Sequence, residues 1–164
     1  MGLQLPGELI GLLGMLGFTW PEADESKLFE LGSTWMGFAG TVQAVASEAG
    51  AAAERVWSSG NAGEDIEAFQ QAWGEEDAPA AILRDAGLGA MAVGACFFLC
   101  AGIVLALKIN VIVQLIMLAV QIAQAVAAAA ATFGASLAWI PIAKEIARMI
   151  IEMLIDQAIG ALLG

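Results

Sequence analysis

Apolar residues recur at alternating spacings of three and four along residues 28–56. They are Leu28, Leu31, Trp35, Phe38, Val42, Val45, Ala49, Ala52 and Val56. This period of about 3.5 residues predicts one long helix whose apolar seam packs, by knobs into holes, against a nearly parallel or antiparallel neighbour. Asp24 or Ser26 precedes the pattern and can cap the helix at the end where negative charge is favourable.

The sequence VWSSGNAGEDIEAFQQAW, residues 56–73, predicts a reversal of the chain after that helix. Two glycines and an asparagine within residues 58–63 supply the backbone freedom that a tight turn needs. The apolar pattern then resumes at spacings of three and four, so we expect a helical hairpin closed by aromatic side chains. Its turn and interaction residues are Trp57, Gly60, Gly63, Phe69 and Trp73.

A break and a long apolar helix are predicted next. The sequence EEDAPAA, residues 75–81, interrupts the return, and Asp77 can cap a new helix with Pro79 in its first turn. The following uncharged run is broken only by Lys108 before residue 144. Because no Gly, Pro or Ser lies close to Lys108, we expect one helix from about residue 87 to about residue 131.

Hydrophobicity alone predicts membrane spans here, but length and polar residues favour a helical bundle. The expected helix would be ~68 Å long, against ~30 Å for the hydrocarbon core of a bilayer. A polar stripe follows one face at Asn110, Gln114, Gln121 and Gln124. The stripe fits a buried hydrogen-bonded seam, a self-association surface or the lining of an oligomeric pore. Small residues at Ala86, Ala90 and Gly94 also suit packing between membrane helices, so membrane insertion stays open as an alternative.

Both ends of the chain also read as helical. A short apolar helix is expected from near Pro6 as a cap on the core. A cleavable secretory signal is not expected, because the first residues lack Lys and Arg and include Glu8. Near the other end the sequence TFGAS, residues 132–136, predicts a turn at Gly134, and an amphipathic helix follows Pro141.

The expected fold class is therefore all-α, an elongated helical bundle of two consecutive long helical hairpins. The cap helix and the first hairpin would occupy residues 1–84. The second and more apolar hairpin would occupy residues 85–164. We expect the two hairpins to pack together as a single domain.

Charge is divided unevenly along the chain. Residues 1–85 carry three basic and fourteen acidic side chains, whereas residues 86–164 carry three of each. Since nucleic acid binding depends on Lys and Arg that neutralise phosphates, nucleic acid is not an expected partner. A chain that is 60% hydrophobic is also far from the composition of a disordered protein.

The residue types needed for catalysis or for metal binding are sparse. The chain has no His and no Tyr, and its few lysines are scattered, which leaves no general base beside a nucleophile. Cys96 and Cys100 lie four residues apart in an apolar run and are expected to be core residues rather than a zinc site. We expect no enzyme activity, no catalytic residues, no metal site and no cofactor.

Several segments, taken in order, resemble a known family. They are LPGEL at residues 5–9, WPEADESKL at residues 20–28, Thr34 and Trp35, the VWSSGNAG turn, the F-x-x-x-W that follows, Lys108, TFGAS and the final PIAKEIAR. Together they are similar to the WXG100-like N-terminal domain of actinobacterial type VII secreted toxins. The group they resemble most contains the channel-forming, toxin-carrying outer membrane proteins of mycobacteria and their relatives in streptomycetes.

The chain departs from the family pattern at two places. The family has Trp, any residue and Gly at the hairpin turn, but here two serines separate Trp57 from Gly60. The family's export signal is a Tyr followed four residues later by an acid. Trp73 and Asp77 have that spacing with a different aromatic residue, and they are the candidate export signal.

The resemblance implies a function without catalysis. It implies an N-terminal trafficking and interaction domain of a type VII secreted polymorphic toxin, secreted by a route other than Sec or associated with the cell envelope. Implied partners are a second copy or another WXG100-like protein, the secretion machinery, and a C-terminal toxin domain in a longer chain. Two alternatives remain: a membrane-inserting oligomeric pore that uses residues 86–143, and a self-assembling structural helical protein.

Overall fold

A computed structural model describes residues 2–163, and this part of the chain is helical with no strand. Five α-helices and one short 3-10 helix follow one another along the sequence. They are α1 (Gly7–Met15), α2 (Glu25–Ser58), α3 (Glu64–Trp73), α4 (Pro79–Ala128), the 3-10 helix (Ala135–Ala138) and α5 (Trp139–Leu163). The expected all-α fold class is confirmed.

The helix ends follow local sequence signals. Asp24 Oδ1 accepts hydrogen bonds from the backbone amides of Ser26 at 3.1 Å and Lys27 at 3.2 Å, so Asp24 caps α2. α4 begins earlier than expected, at Pro79. The residue before it is Ala78, whose carbonyl accepts the first helical hydrogen bonds, and not Asp77 as predicted.

Glycines with positive φ close the predicted hairpin turn. Gly60 has φ 87° and Gly63 has φ 137°, and α2 ends and α3 begins on either side of them. Side chains with a Cβ rarely adopt such angles, which explains why glycine stands at both positions. The second predicted turn has the same feature, since Gly134 has φ 84°.

The described chain forms two compact units. One contains residues 28–98, and the other contains residues 2–27 together with residues 99–163. The boundary expected between residues 84 and 85 lies inside α4. Residues 87–98 pack with α2 in the first of these units, because α4 contains no turn sequence at the expected boundary and presents small residues to α2.

In the unit of residues 28–98, α2 and the first part of α4 run antiparallel at close range. Phe29 and Phe98 stack with ring centroids 5.9 Å apart. A Cβ added at Gly32 would lie 2.8 Å from the Phe98 ring and 3.1 Å from the Gly94 carbonyl oxygen. The two backbones can approach this closely only because Gly32 and Gly94 lack side chains.

The buried edge of α2 differs from the predicted seam. Its buried residues recur every seven positions at Gly32, Ala39, Ala46 and Ala53. Of the predicted seam, Leu28, Trp35 and Val42 are half-buried, whereas Leu31, Phe38 and Val45 are 45%, 53% and 49% exposed. The interface selects small residues because the helices lie so close, so large side chains are displaced to its flanks or to the surface.

In the other unit, α1 covers a core that it shares with α4 and α5, and not with the first hairpin. Leucines from α1 and its flanking residues pack against apolar side chains of α4 and α5. This core consists of Leu5, Leu9, Leu13, Leu16, Val111, Leu115, Leu118, Ala143, Ala147 and Ile151. Each of these residues is nearly or fully removed from water, which makes α1 an integral part of the unit.

The polar stripe of α4 is not a buried seam. Asn110 and Gln124 are exposed, and Gln114 and Gln121 are half-buried. The buried edge of α4 in this unit consists of Ala101, Val104, Lys108, Val111, Leu115, Leu118 and Ala125. Within this chain the stripe is therefore not a buried hydrogen-bonded seam. A self-association surface and the lining of an oligomeric pore remain as interpretations.

Candidate functional site

Lys108 is the most unusual polar residue of the described chain. It is only 2% exposed, although it lies in the apolar helix α4. Its Nζ lies 2.8 Å from Glu25 Oε2 and donates to the Ala23 carbonyl oxygen at 2.6 Å. The ring centroid of Trp20 lies 5.7 Å from the same ammonium. A buried charge requires such partners, because isolating it from water is costly.

Glu25 is the acidic partner of Lys108 and is itself 4% exposed. Lys108, Glu25, Ala23 and Trp20 are called the Lys108 centre below. Its Oε1 accepts a hydrogen bond from the backbone amide of Leu3, and Oε2 faces Lys108. Burial raises the pKa of Glu25, but the hydrogen bonds from Leu3 and Lys108 outweigh it and lower the pKa to about 2. Glu25 is therefore an anion at neutral pH, matched to the Lys108 ammonium.

This centre holds the N-terminal residues on α4. Glu25 binds Leu3 on one side and Lys108 on the other, and Ala23 is tied to Lys108 as well. These contacts fix the Lys108 ammonium in one place and suit a positioning role. The sequence offered one signal that could have identified it: a single lysine in a long uncharged run needs an acidic partner elsewhere.

The hairpin residues form a second candidate site at the end of α2. The Phe69 ring lies 5.8 Å from Trp57 and 5.7 Å from Trp73, so the three aromatic side chains form one cluster. Phe69 is exposed, and the two tryptophans are half-buried. Gly60 and Gly63 lie in the exposed turn that precedes α3. The structure thus brings the aromatic residues together and leaves part of their surface accessible.

Trp73 and Asp77, the candidate export signal, lie in different local structures. Trp73 is the last residue of α3, and Asp77 is exposed in the segment between α3 and α4. The pair therefore extends from the aromatic cluster into an accessible acidic turn that also contains Glu75 and Glu76.

The two cysteines differ from their expected environment. Cys96 is exposed and Cys100 is half-buried, and both are free thiols. The prediction that both are core residues is wrong, because the buried side of α4 is narrow and includes neither cysteine. Within residues 2–163, no group of three or more His, Cys, Asp or Glu side chains is arranged to hold a metal ion.

α4 is the one helix of the described chain that is long and apolar enough to cross a membrane. Its most apolar 18-residue window has a mean hydropathy of 2.5, and 22% of that window is buried. Exposed apolar side chains occur along α4, as at Leu99, Ile109 and Ile116. Large exposed apolar surfaces indicate contact with another protein or with lipid.

Comparison with known proteins identifies a family for most of the chain. No curated protein and no solved structure matches it. The family described as WXG100 like domain matches residues 4–150, which include every helix from α1 to α4 and the first part of α5. Such helical domains are associated with type VII secretion. The chain therefore belongs to the WXG100-like domain family.

Proposed function

We propose that the chain is the non-catalytic trafficking and interaction domain of a type VII secreted polymorphic toxin, with the toxic domain following residue 164. The family match over residues 4–150 carries this proposal. The exposed aromatic and acidic surface around Phe69 and Asp77 supports it, because an export signal must be accessible to the secretion machinery.

An exposed stripe on α2 supports partner pairing. Leu31, Phe38 and Val45 recur every seven residues and are each about half exposed. Large apolar side chains at this spacing are the positions through which one helix meets another by knobs into holes. The occupant of this stripe is a second copy of the chain or another WXG100-like protein.

Export of a fusion protein tests the proposal. A reporter enzyme joined after residue 164 is expressed in a host that carries the cognate type VII system and in the same host with the secretion ATPase deleted. We expect the reporter in the culture medium of the first strain only. Retention of a folded, soluble fusion in both strains would contradict the proposal.

A pore-forming module is the second candidate function, and the exposed apolar surface of α4 favours it. Residues 86–143 would insert into a bilayer after delivery and oligomerise. Purified protein added to dye-loaded lipid vesicles provides the test. Dye release that rises steeply with protein concentration would support an oligomeric pore, whereas intact vesicles under conditions that bind the protein would contradict it.

A further inference from the structure

A groove runs along the unit of residues 28–98, with a cavity volume of about 610 Å³. α2 contributes mainly small residues, and the end of α3 and the first turns of α4 contribute larger ones. The lining includes Ala46, Ser47, Gly50, Trp73, Arg84 and Leu88. An indole and a leucine thus border a floor without bulky side chains.

The floor of this groove is open at Gly50. A Cβ added there would meet no atom within 4 Å, although Gly50 lies inside α2 and is half-buried. A helix laid over such a floor can approach the α2 backbone closely. Trp73 and Leu88 would then contact the apolar side of that helix.

The groove lies in an acidic part of the molecule. Its lining carries one acid, Glu54, and one base, Arg84, whose Nε donates to the Ala80 carbonyl oxygen of the same helix at 3.2 Å. Two exposed acids, Glu48 and Asp85, directly follow the lining residues Ser47 and Arg84 in the sequence. Residues 28–98 as a whole carry ten acidic and two basic side chains.

We propose that this groove binds an amphipathic helix of a partner protein, with Lys or Arg flanking the apolar side of that helix. Small floor residues and two apolar walls select the helix, and the acidic unit around the groove selects its charge. A second copy of this chain would bring two such acidic units together, so like-charge repulsion disfavours it as the occupant. Binding of such a helix does not depend on whether the chain carries a toxin.

Fluorescence anisotropy with a synthetic helical peptide tests the proposal. The probe is a labelled peptide of about 18 residues with Leu and Ala on one face and Lys on its flanks, and the matched peptide has Glu in place of Lys. We expect the Lys peptide to bind and the Glu peptide not to bind. Binding should weaken as salt is raised from about 0.05 to about 0.5 M. Equal binding of both peptides, or of neither, would overturn the proposal.

Filling the groove separates binding in the groove from general attraction to an acidic surface. Gly50→Phe places a ring over the open floor and should weaken binding of the Lys peptide at least tenfold. Gly40→Phe is the matched control, since Gly40 also lies in α2 with open space around its Cβ but does not line the groove. Unchanged binding by the Gly50 variant would overturn the proposal.

Two further measurements keep the test independent of folding and of export. Thermal melting followed by circular dichroism should give the Gly50→Phe variant a melting temperature close to that of the wild type, because its Cβ meets no atom within 4 Å and the groove leaves room for the ring. Trp73→Ala should also weaken peptide binding. A folded Trp73→Ala variant that binds the peptide like the wild type would contradict the groove assignment, even if export of the fusion protein succeeds.

Discussion

At the scale of single residues, the ion pair of Lys108 and Glu25 is the least expected feature of the molecule. Both side chains are almost fully buried, and their separation of 2.8 Å leaves no water between them. Removing two charges from water is costly, and their mutual attraction with the additional hydrogen bonds offsets that cost. Removal of either partner leaves the other charge buried without compensation.

Lys108→Met should therefore destabilise the protein strongly. Breaking a buried pair from one side costs about 3–5 kcal/mol of unfolding free energy. Chemical denaturation followed by circular dichroism measures the change. Lys27→Met is the control, since Lys27 is exposed and surface substitutions change stability by about 0.5 kcal/mol or less. Similar denaturation curves for the two variants would contradict the role assigned to Lys108.

The pH dependence of stability should depend on Glu25. Its pKa is about 2 in the folded protein and 4.5 in the unfolded reference, so the unfolded state binds more protons between these values. The stability from Glu25 is present above pH 4.5 and is lost as the pH falls towards 2. Denaturation at several pH values should show a steeper loss for the wild type than for Glu25→Gln. Parallel losses in the two proteins would show that Glu25 has no such role.

At the scale of helices, close contact between α2 and α4 explains where large and small residues lie. Gly32 and Gly94 face each other, and Gly87 faces Ala39 and Gln43 on the same pair of helices. The large residues Leu31, Phe38 and Val45 consequently remain at the surface. An interface of this kind is sensitive to a single methyl group.

Gly32→Ala should reduce the unfolding free energy by about 1–3 kcal/mol, the usual cost of overpacking. Its new methyl group would lie 2.8 Å from the Phe98 ring and 3.1 Å from the Gly94 carbonyl oxygen. Gly37→Ala, on the same helix with open space, should instead raise stability by about 0.5–1 kcal/mol. Effects of the same sign in the two variants, measured by chemical denaturation, would argue against the close packing.

Local sequence signals predicted the helix ends, whereas contacts between distant residues were not predictable. Pro6, Asp24, Gly60 and Gly134 act within a few residues of their own position, and the helices begin or end beside them. The seven-residue period of α2 was visible, but the pattern does not state how closely the neighbour approaches. The pattern therefore predicts a seam of large apolar residues, whereas the buried positions are Gly32, Ala39, Ala46 and Ala53.

The Lys108 centre was missed for a related reason. Glu25 and Lys108 are 83 residues apart, and Glu25 had a sufficient local explanation at the start of a helix. No periodic pattern links two such positions. The aromatic cluster of Trp57, Phe69 and Trp73 was easier to predict because a short turn brings its members together.

At the scale of the whole molecule, exposed apolar helix faces and an acidic N-terminal half describe a protein built for contact with other molecules. Exposed aliphatic and sulphur-containing side chains also occur on α5, as at Ile146, Met149 and Met153. Apolar surface of this extent is seldom left facing water. Pairing with a WXG100-like partner, delivery to the secretion machinery and entry into lipid each provide a way to cover it.

Export should depend on Asp77 if the Trp73 to Asp77 spacing is a secretion signal. Asp77→Ala removes one exposed carboxylate outside the helices and should spare folding while lowering the amount of fusion protein in the medium severalfold. Quantitative immunoblotting of medium and cell fractions provides the measurement. Asp85→Ala is the control, because Asp85 is also exposed but lies within α4. Normal export of the Asp77 variant would remove the signal assignment.

The most direct test of a domain built for protein partners is the mass of the purified chain in buffer without detergent. Size-exclusion chromatography with light scattering gives that mass. We expect a discrete soluble monomer, dimer or small oligomer, because the account makes protein, and not lipid, the environment of α4. Recovery only from the membrane fraction, with a defined mass only in detergent, would contradict this account and make lipid the environment of α4.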